Sequence, residues 1–219
     1  MSEGASAKSP KPLGLIFLTT LLDLLGLTLI IPILAPLLTE SNAVLGPEVS
    51  EATRNLVFGL VIAAFPACQF VGAPLLGALS DRVGRKRVLY LTISGSLISY
   101  LITAVAILQG NLWVLVLGRM IQGFSAGNLS VIYSAIADIS GPEEKAKNFG
   151  LVGAAFGIGF VIGPLVGGIL SDPSFVSWFS FATPFWVSAG LVALNLILVW
   201  RIFPETLKHP NHDTKITPW

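Results

Sequence analysis

Sulfur and imidazole are nearly absent from this chain, and charge is scarce. Cys68 is the only cysteine in 219 residues and lies within an apolar stretch, which excludes an intrachain disulfide and any cysteine-based metal cage. The two histidines, His209 and His212, fall in a polar stretch after the last hydrophobic segment and read as surface residues, so no metal is expected. Charged residues make up 11% of the sequence, less than half the roughly 25% typical of soluble domains. The 13 basic and 12 acidic side chains nearly cancel, to +1, and give no reason to expect nucleic acid as a partner. No phosphate-binding loop, metal cluster or nucleophilic triad stands out, so the chain does not read as an enzyme and no cofactor is expected.

What is abundant is hydrophobic length, with 53% hydrophobic residues and a mean hydropathy of +0.80. Six stretches offer the roughly 20 apolar residues a helix needs to cross about 30 Å of hydrocarbon: Leu13 to Leu38, Leu56 to Leu79, Val88 to Leu108, Leu112 to Ile136, Phe149 to Leu170 and Phe181 to Phe203. Membrane barrel strands would be short and alternating, so the expectation is an all-α polytopic membrane protein of six transmembrane helices, with lipid as its first partner. The first run is too long for the core of a secretory signal and lacks a small-residue cleavage pattern. Residues 1–12 and 207–219 are polar and Pro-containing and read as flexible tails around a six-helix unit, 13–206. Lys8, Lys11, Arg82, Arg85, Lys86, Arg87, Lys145, Lys147, Arg201, Lys208 and Lys215 fall on one side of the six spans, against Arg54 alone on the other. That asymmetry predicts a multi-pass cell-membrane protein, the inner membrane if bacterial, with both termini cytoplasmic. Asn111 marks a very short outer turn.

Two charges interrupt the apolar runs. Asp23 lies about ten residues into the first segment and Arg119 seven into the fourth, which runs the other way. At 1.5 Å per residue their depths differ by only about 5 Å, close enough for the long arginine to reach the acid. Charges at that depth mark a cavity or a partner, and two readings stand: a substrate or proton pathway, or a buried pair that only ties segments together. Gln122 and Ala126 share a helical face with Arg119, which is expected to border a central cavity. Asn128, Ser130 and Tyr133 continue the polar content. Phe17, Phe58, Phe65, Phe156, Phe160, Trp178 and Trp186 could each stack against a drug, face lipid or fill helix contacts, and individually the structural readings are favoured.

In the fifth segment Gly159, Gly163 and Gly167 recur every four residues, and Gly157, Pro164 and Gly168 lie beside them. The spacing predicts close helix approach along one side, and the proline predicts a helix that bends or slides. Between the second and third segments, Gly77 to Arg87 reads as a charged loop in which Asp81 caps the next helix or pairs with a base. Gly77, Asp81, Arg82, Gly84, Arg85 and Lys86 are the candidate conformational latch, and Asp138, with the charges at 143–147, is a candidate contributor.

The Gly77 to Arg87 stretch resembles the signature between the second and third helices of the major facilitator superfamily. Gly118 to Gly127 is similar to that family's fourth-helix arginine motif, and Gly157 to Gly168 to the fifth-helix motif of its proton-coupled antiporters. Asp23, Gly26, Pro32 and Pro36 resemble the pattern near the start of drug exporters of the tetracycline and multidrug group. The resemblance covers about residues 13–206. It implies the N-terminal six-helix half of a proton-coupled efflux transporter for a small amphiphilic or drug-like molecule. Arg119, with Gln122 beside it, would assist proton coupling, Asp23 would couple protons or recognise substrate, Asp81 would join the inner latch, and the glycine-rich helix would take part in alternating access. Six spans supply one of two walls, so the partners implied are substrate, proton and either a second six-helix half or a homodimer mate. A metabolite symporter half and a non-transporting truncated product or interaction subunit are the alternatives.

Overall fold

The computed structural model describes residues 11–40 and 44–207, and these are helical apart from short connections. Helix α1 spans Lys11–Thr28 and α2 Ile31–Ala35, followed by a wider π-type stretch, Pro36–Glu40; then come α3 (Glu51–Val83), α4 (Arg85–Gln109), α5 (Leu112–Ala126), α6 (Leu129–Ile139), α7 (Lys145–Ser171) and α8 (Thr183–Ile202). The run Pro12–Leu38 and helices α3, α4, α7 and α8 are each long and apolar enough to cross a membrane. Together with α5 and α6, these elements make a polytopic bundle of about six helices. The tails expected at residues 1–12 and 207–219 lie outside the described residues, with Lys8, Lys208, His209, His212 and Lys215, except that Lys11 and Pro12 already belong to α1 and Leu207 is described.

The fourth apolar segment, expected as one helix, is broken at Gly127 and Asn128. Both residues keep right-handed helical angles, but their N–H groups donate three residues back, to Phe124 and Ser125 O at 3.1 Å each. The break is therefore a tightened turn, not a reversal. The break lies against α3: a Cβ on Gly127 would sit 2.6 Å from Ala73 N, and one on Gly123 would overlap the Phe65 carbonyl oxygen. Backbone meets backbone along this seam, which only glycine permits.

Helices pack in the series α3, α5, α4, α8, α1, α7, and the two end members do not pack closely on one another. Those end members are also the least covered, with 17% of the apolar stretch of α3 and 22% of that of α7 buried, against 50% for α4. Within the bundle, Thr19 and Asn195 join α1 to α8 by a 3.0 Å hydrogen bond.

Connections follow local chemistry. Ser50 caps α3, accepting from Thr53 N at 3.3 Å. At the tight turn after α4, Gly110 takes left-handed angles (φ 62°) and Asn111 Oδ1 accepts from Trp113 N and Val114 N. Arg54, expected as the isolated outer charge, is buried: its guanidinium donates to the carbonyls of Leu38, Leu45, Gly46 and Val49 and so fastens the connection preceding α3.

The stretch 77–87 is not a loop. α3 continues to Val83, α4 begins at Arg85, and the reversal falls on Gly84 alone, at φ 103°. That angle is open to glycine and strained for other residues.

Candidate functional site

A cavity of about 690 Å³ opens between α1, α3, α6 and α7. Its wall is mostly apolar and aromatic, with Phe65, Phe70, Tyr133 and Phe156 among the lining residues. Gln69, Asn128 and Ser130 supply polar groups, and Asp23 is the only acidic residue among those lining it. Volume and composition match those of small-molecule sites, which are concave, largely apolar and carry a few placed polar groups.

Asp23 is half-buried on the cavity wall. Asn128 Nδ2 donates to its Oδ2 at 2.8 Å, and Ser96 Oγ donates to its Oδ1 at 3.4 Å. The contact with Arg119 that their similar depths allow is not made. Both ion pairs among the described residues are made by Arg85. Arg119 is 3% exposed, donates to Gly26 O at 3.4 Å, and lies over the ring of Phe65 with its guanidinium carbon 5.0 Å from the centroid. Phe65 also lines the cavity, so one aromatic ring is shared between Arg119 and the cavity wall. The depth estimate placed the two charges at one level, but depth says nothing about the direction in which each side chain leaves its helix.

Gln122 is not among the residues lining this cavity; of the face it shares with Arg119 and Ala126, only Ala126 is. Gln122 is 2% exposed, and its Oε1 accepts from Ser99 Oγ. Beside it, Tyr100 Oη donates to Leu22 O at 3.2 Å, and a Cβ on Gly26 would overlap that hydroxyl. Arg119 Nε and Gln122 Nε2 are buried without a hydrogen-bond partner among the described residues. A polar layer thus joins α1, α4 and α5 behind the cavity. Ser96, Ser99, Tyr100 and Thr103 form its α4 side, all buried. Their 3- and 4-residue spacing is the signal in the sequence for this layer.

The broken fourth segment is compensated from α3. Ser130 N bonds Gly127 O at 3.3 Å, not the regular partner Ala126 O, and Gln69 Nε2 donates to Ala126 O at 3.1 Å. Ser130 Oγ donates to Ala73 O at 2.8 Å.

On α7, Cβ atoms at Gly159 and Gly163 would lie 2.8 Å from Leu24 Cβ and 2.9 Å from Thr28 Cβ, and one at Gly167 would overlap the Leu29 carbonyl oxygen. Thr28 Oγ1 bridges the contact, donating to Leu24 O at 2.8 Å or Gly159 O at 3.0 Å. Gly157 and Gly168 take no part, since a Cβ on either meets nothing within 4 Å. Pro164 is accommodated inside the continuous helix α7.

At the basic end, Arg85 is the centre of the polar contacts. It pairs with Asp81 at 2.6 Å and with Asp138 at 3.2 Å, and donates to Ser80 Oγ. Glu205, which the sequence reading did not single out, accepts from Arg85 N at 2.9 Å and Lys86 N at 3.3 Å, capping α4 where Gly84 has no side chain to do so. Thr206 Oγ1 reaches Asp138 at 3.5 Å. Arg82 contributes a buried Nε with no hydrogen-bond partner among the described residues, and Gly77 packs beside Ser130.

Comparison with known proteins places this geometry. The profile of the Major Facilitator Superfamily matches residues 16–218. The class H tetracycline resistance protein of Pasteurella multocida is 35% identical over 208 residues, covering 95% of this chain and 48% of the relative. The class D protein of Salmonella ordonez is 37% identical over 198 residues, covering 90% and 46%. Among solved structures, the human organic anion transporter MFSD10 (TETRAN) superposes with a TM-score of 0.73 at 28% identity, over 92% of this chain and 49% of that one. The xylose symporter XylE reaches the same TM-score at 19% identity, which speaks for the fold alone. The chain spans about half the length of the curated relatives it matches. Helix bundle, family profile and relatives agree: the chain is a polytopic membrane protein and belongs to the Major Facilitator Superfamily.

Proposed function

We propose that this chain forms one six-helix half of a proton-coupled exporter for a small amphiphilic molecule, with Asp23 as the carboxylate that takes up and releases the coupling proton. The observation that carries the reading is Asp23 itself: the one acidic residue lining the aromatic cavity, within a membrane-spanning run, held by neutral donors. An acid so placed is expensive unless it serves a partner or a path. Arg119, behind Phe65, sets the electrostatic field without fixing the acid's charge. The contacts of Arg85 with Asp81, Asp138 and, through its backbone, Glu205 act as the latch of one conformational state. The tetracycline resistance relatives support efflux.

Activity requires a second wall, from another six-helix half or a second copy of the chain; the poorly covered faces of α3 and α7 flank the cavity where that wall would sit. Both termini lie on the cytoplasmic side, by the distribution of basic residues. The test is substrate-dependent proton flux in proteoliposomes containing the chain together with the half that completes it. Asp23→Asn abolishes coupled flux on this reading, and wild-type flux in that variant overturns it.

A further inference from the structure

The break in the fourth segment and the cavity carboxylate are joined by a single side chain. Asn128 is the residue at which α6 departs from regular α-helical bonding, it is 1% exposed, and its Nδ2 donates to Asp23 Oδ2 at 2.8 Å. We propose that Asn128 is the positioning residue through which the charge of Asp23 sets the conformation of the α5–α6 break. The inference rests on the reading that Asp23 changes its proton occupancy.

The argument is one of donors and acceptors. Ionised Asp23 has acceptor oxygens for both of its neighbours, the Asn128 amide and the Ser96 hydroxyl. Protonation turns one carboxyl oxygen into a donor. Ser96 accommodates this by rotating its hydroxyl and accepting. The Asn128 NH₂ has no acceptor capacity, so its bond drops from a charge-assisted to a neutral one, or its amide turns. Either outcome loosens the tie between α1 and the break.

The break is poised to respond. Gly127 and Asn128 are held by bonds three residues back, and the Ala126 carbonyl relies on Gln69 of α3. Gln69, Asn128 and Ser130 all line the same cavity as Asp23, so a rearrangement there alters the wall that touches substrate. Among the described residues, Tyr100 of α4 donates to Leu22 O, Arg119 of α5 lies over Phe65 and Tyr133 of α6 lines the same cavity, while the cavity-lining residues of α3 and α7 include no ionisable group.

The test is hydrogen–deuterium exchange of the reconstituted full chain in acid and alkaline buffer, corrected for intrinsic exchange, read at the amides of residues 127–130. In the wild type, protonation accelerates exchange there by about tenfold, the equivalent of losing the charge assistance of one bond. Asp23→Asn removes that pH dependence, because its side chain no longer titrates. Asn128→Leu, which keeps the volume and deletes the donor, also removes it, and Asn128→Ser restores part of it. Should the leucine variant fail to fold, Asn128→Ala gives the same comparison. The proposal is overturned if a folded donorless variant keeps the wild-type pH dependence, or if the wild type shows none. Loss of coupled flux in Asp23→Asn together with unaltered pH-dependent exchange in Asn128→Leu refutes this inference alone, while unaltered flux in Asp23→Asn refutes the underlying reading.

Discussion

Replacing the glycines of α7 one at a time by alanine separates contact from composition. At Gly167 the new Cβ would overlap the Leu29 carbonyl oxygen, with the carbonyl carbon at 3.0 Å and Cα at 3.1 Å, and a backbone neighbour cannot rotate away. Relief requires α1 and α7 to part by about 1 Å, which opens a close-packed seam. Overpacking of this kind costs about 1–3 kcal/mol. The same separation lengthens the Thr28 Oγ1 to Gly159 O bond, worth about 1 kcal/mol. Against this stands a helix-propensity gain of about 1 kcal/mol for alanine over glycine. The net loss is about 2 kcal/mol, a fall in melting temperature of roughly 5 °C for a chain of this size. Gly168→Ala meets nothing within 4 Å and collects only the propensity gain. Thermal unfolding in lipid nanodiscs, following helical signal, compares the two. Equal effects at 167 and 168 would refute the packing argument, since these neighbours share composition and depth and differ only in what faces them.

Other substitutions test the remaining contacts. Glu205→Gln leaves the first N–H groups of α4 with a neutral acceptor and lowers stability by about 1 kcal/mol, read as earlier thermal unfolding and faster proteolysis near Gly84. Tyr100→Phe deletes the buried hydroxyl that donates to Leu22 O and costs about 1 kcal/mol of stability, whereas Gly26→Ala, which drives a Cβ into that hydroxyl, costs more in the same melt. Arg54→Leu removes the donors that gather four carbonyls before α3; the expected result is a protease-sensitive connection at residues 44–50, with cavity ligand affinity unchanged.

The parts of this fold that were legible in the sequence are those set by local properties. A run of about 20 apolar residues declares a span because each residue transfers to lipid on its own account, and the ends of α4, α7 and α8 fall within about four residues of the expected boundaries for the same reason. The break at Gly127 was not legible, and the backbone it packs against, that of Gly72 and Ala73, lies more than fifty positions earlier. Glu205 escaped notice for a related reason: an acid after the last span acquires a role only once α8 brings it beside Gly84. Gly159, Gly163 and Gly167 were readable as a stripe, but which neighbouring glycines lie off that stripe required knowing where α1 runs.

Asp23 and Arg119 show the same limit with a consequence for mechanism. Helix rise gives depth, and depth alone leaves a base within possible reach of the acid. The structure instead gives Asp23 an amide and a hydroxyl, and gives Arg119 a carbonyl and an aromatic face. A carboxylate clamped to a guanidinium has its charge fixed by its partner. One held by Asn128 and Ser96 has partners that are neutral in both of its protonation states, and one of them, the hydroxyl, can reverse its hydrogen bond. A carboxyl group meant to gain and lose a proton during each cycle is better served by the second arrangement, so the missing ion pair strengthens the transport reading. On the proposal made above, the conformational response then falls to Asn128, whose NH₂ can only donate and which reverses its bond only by turning its amide.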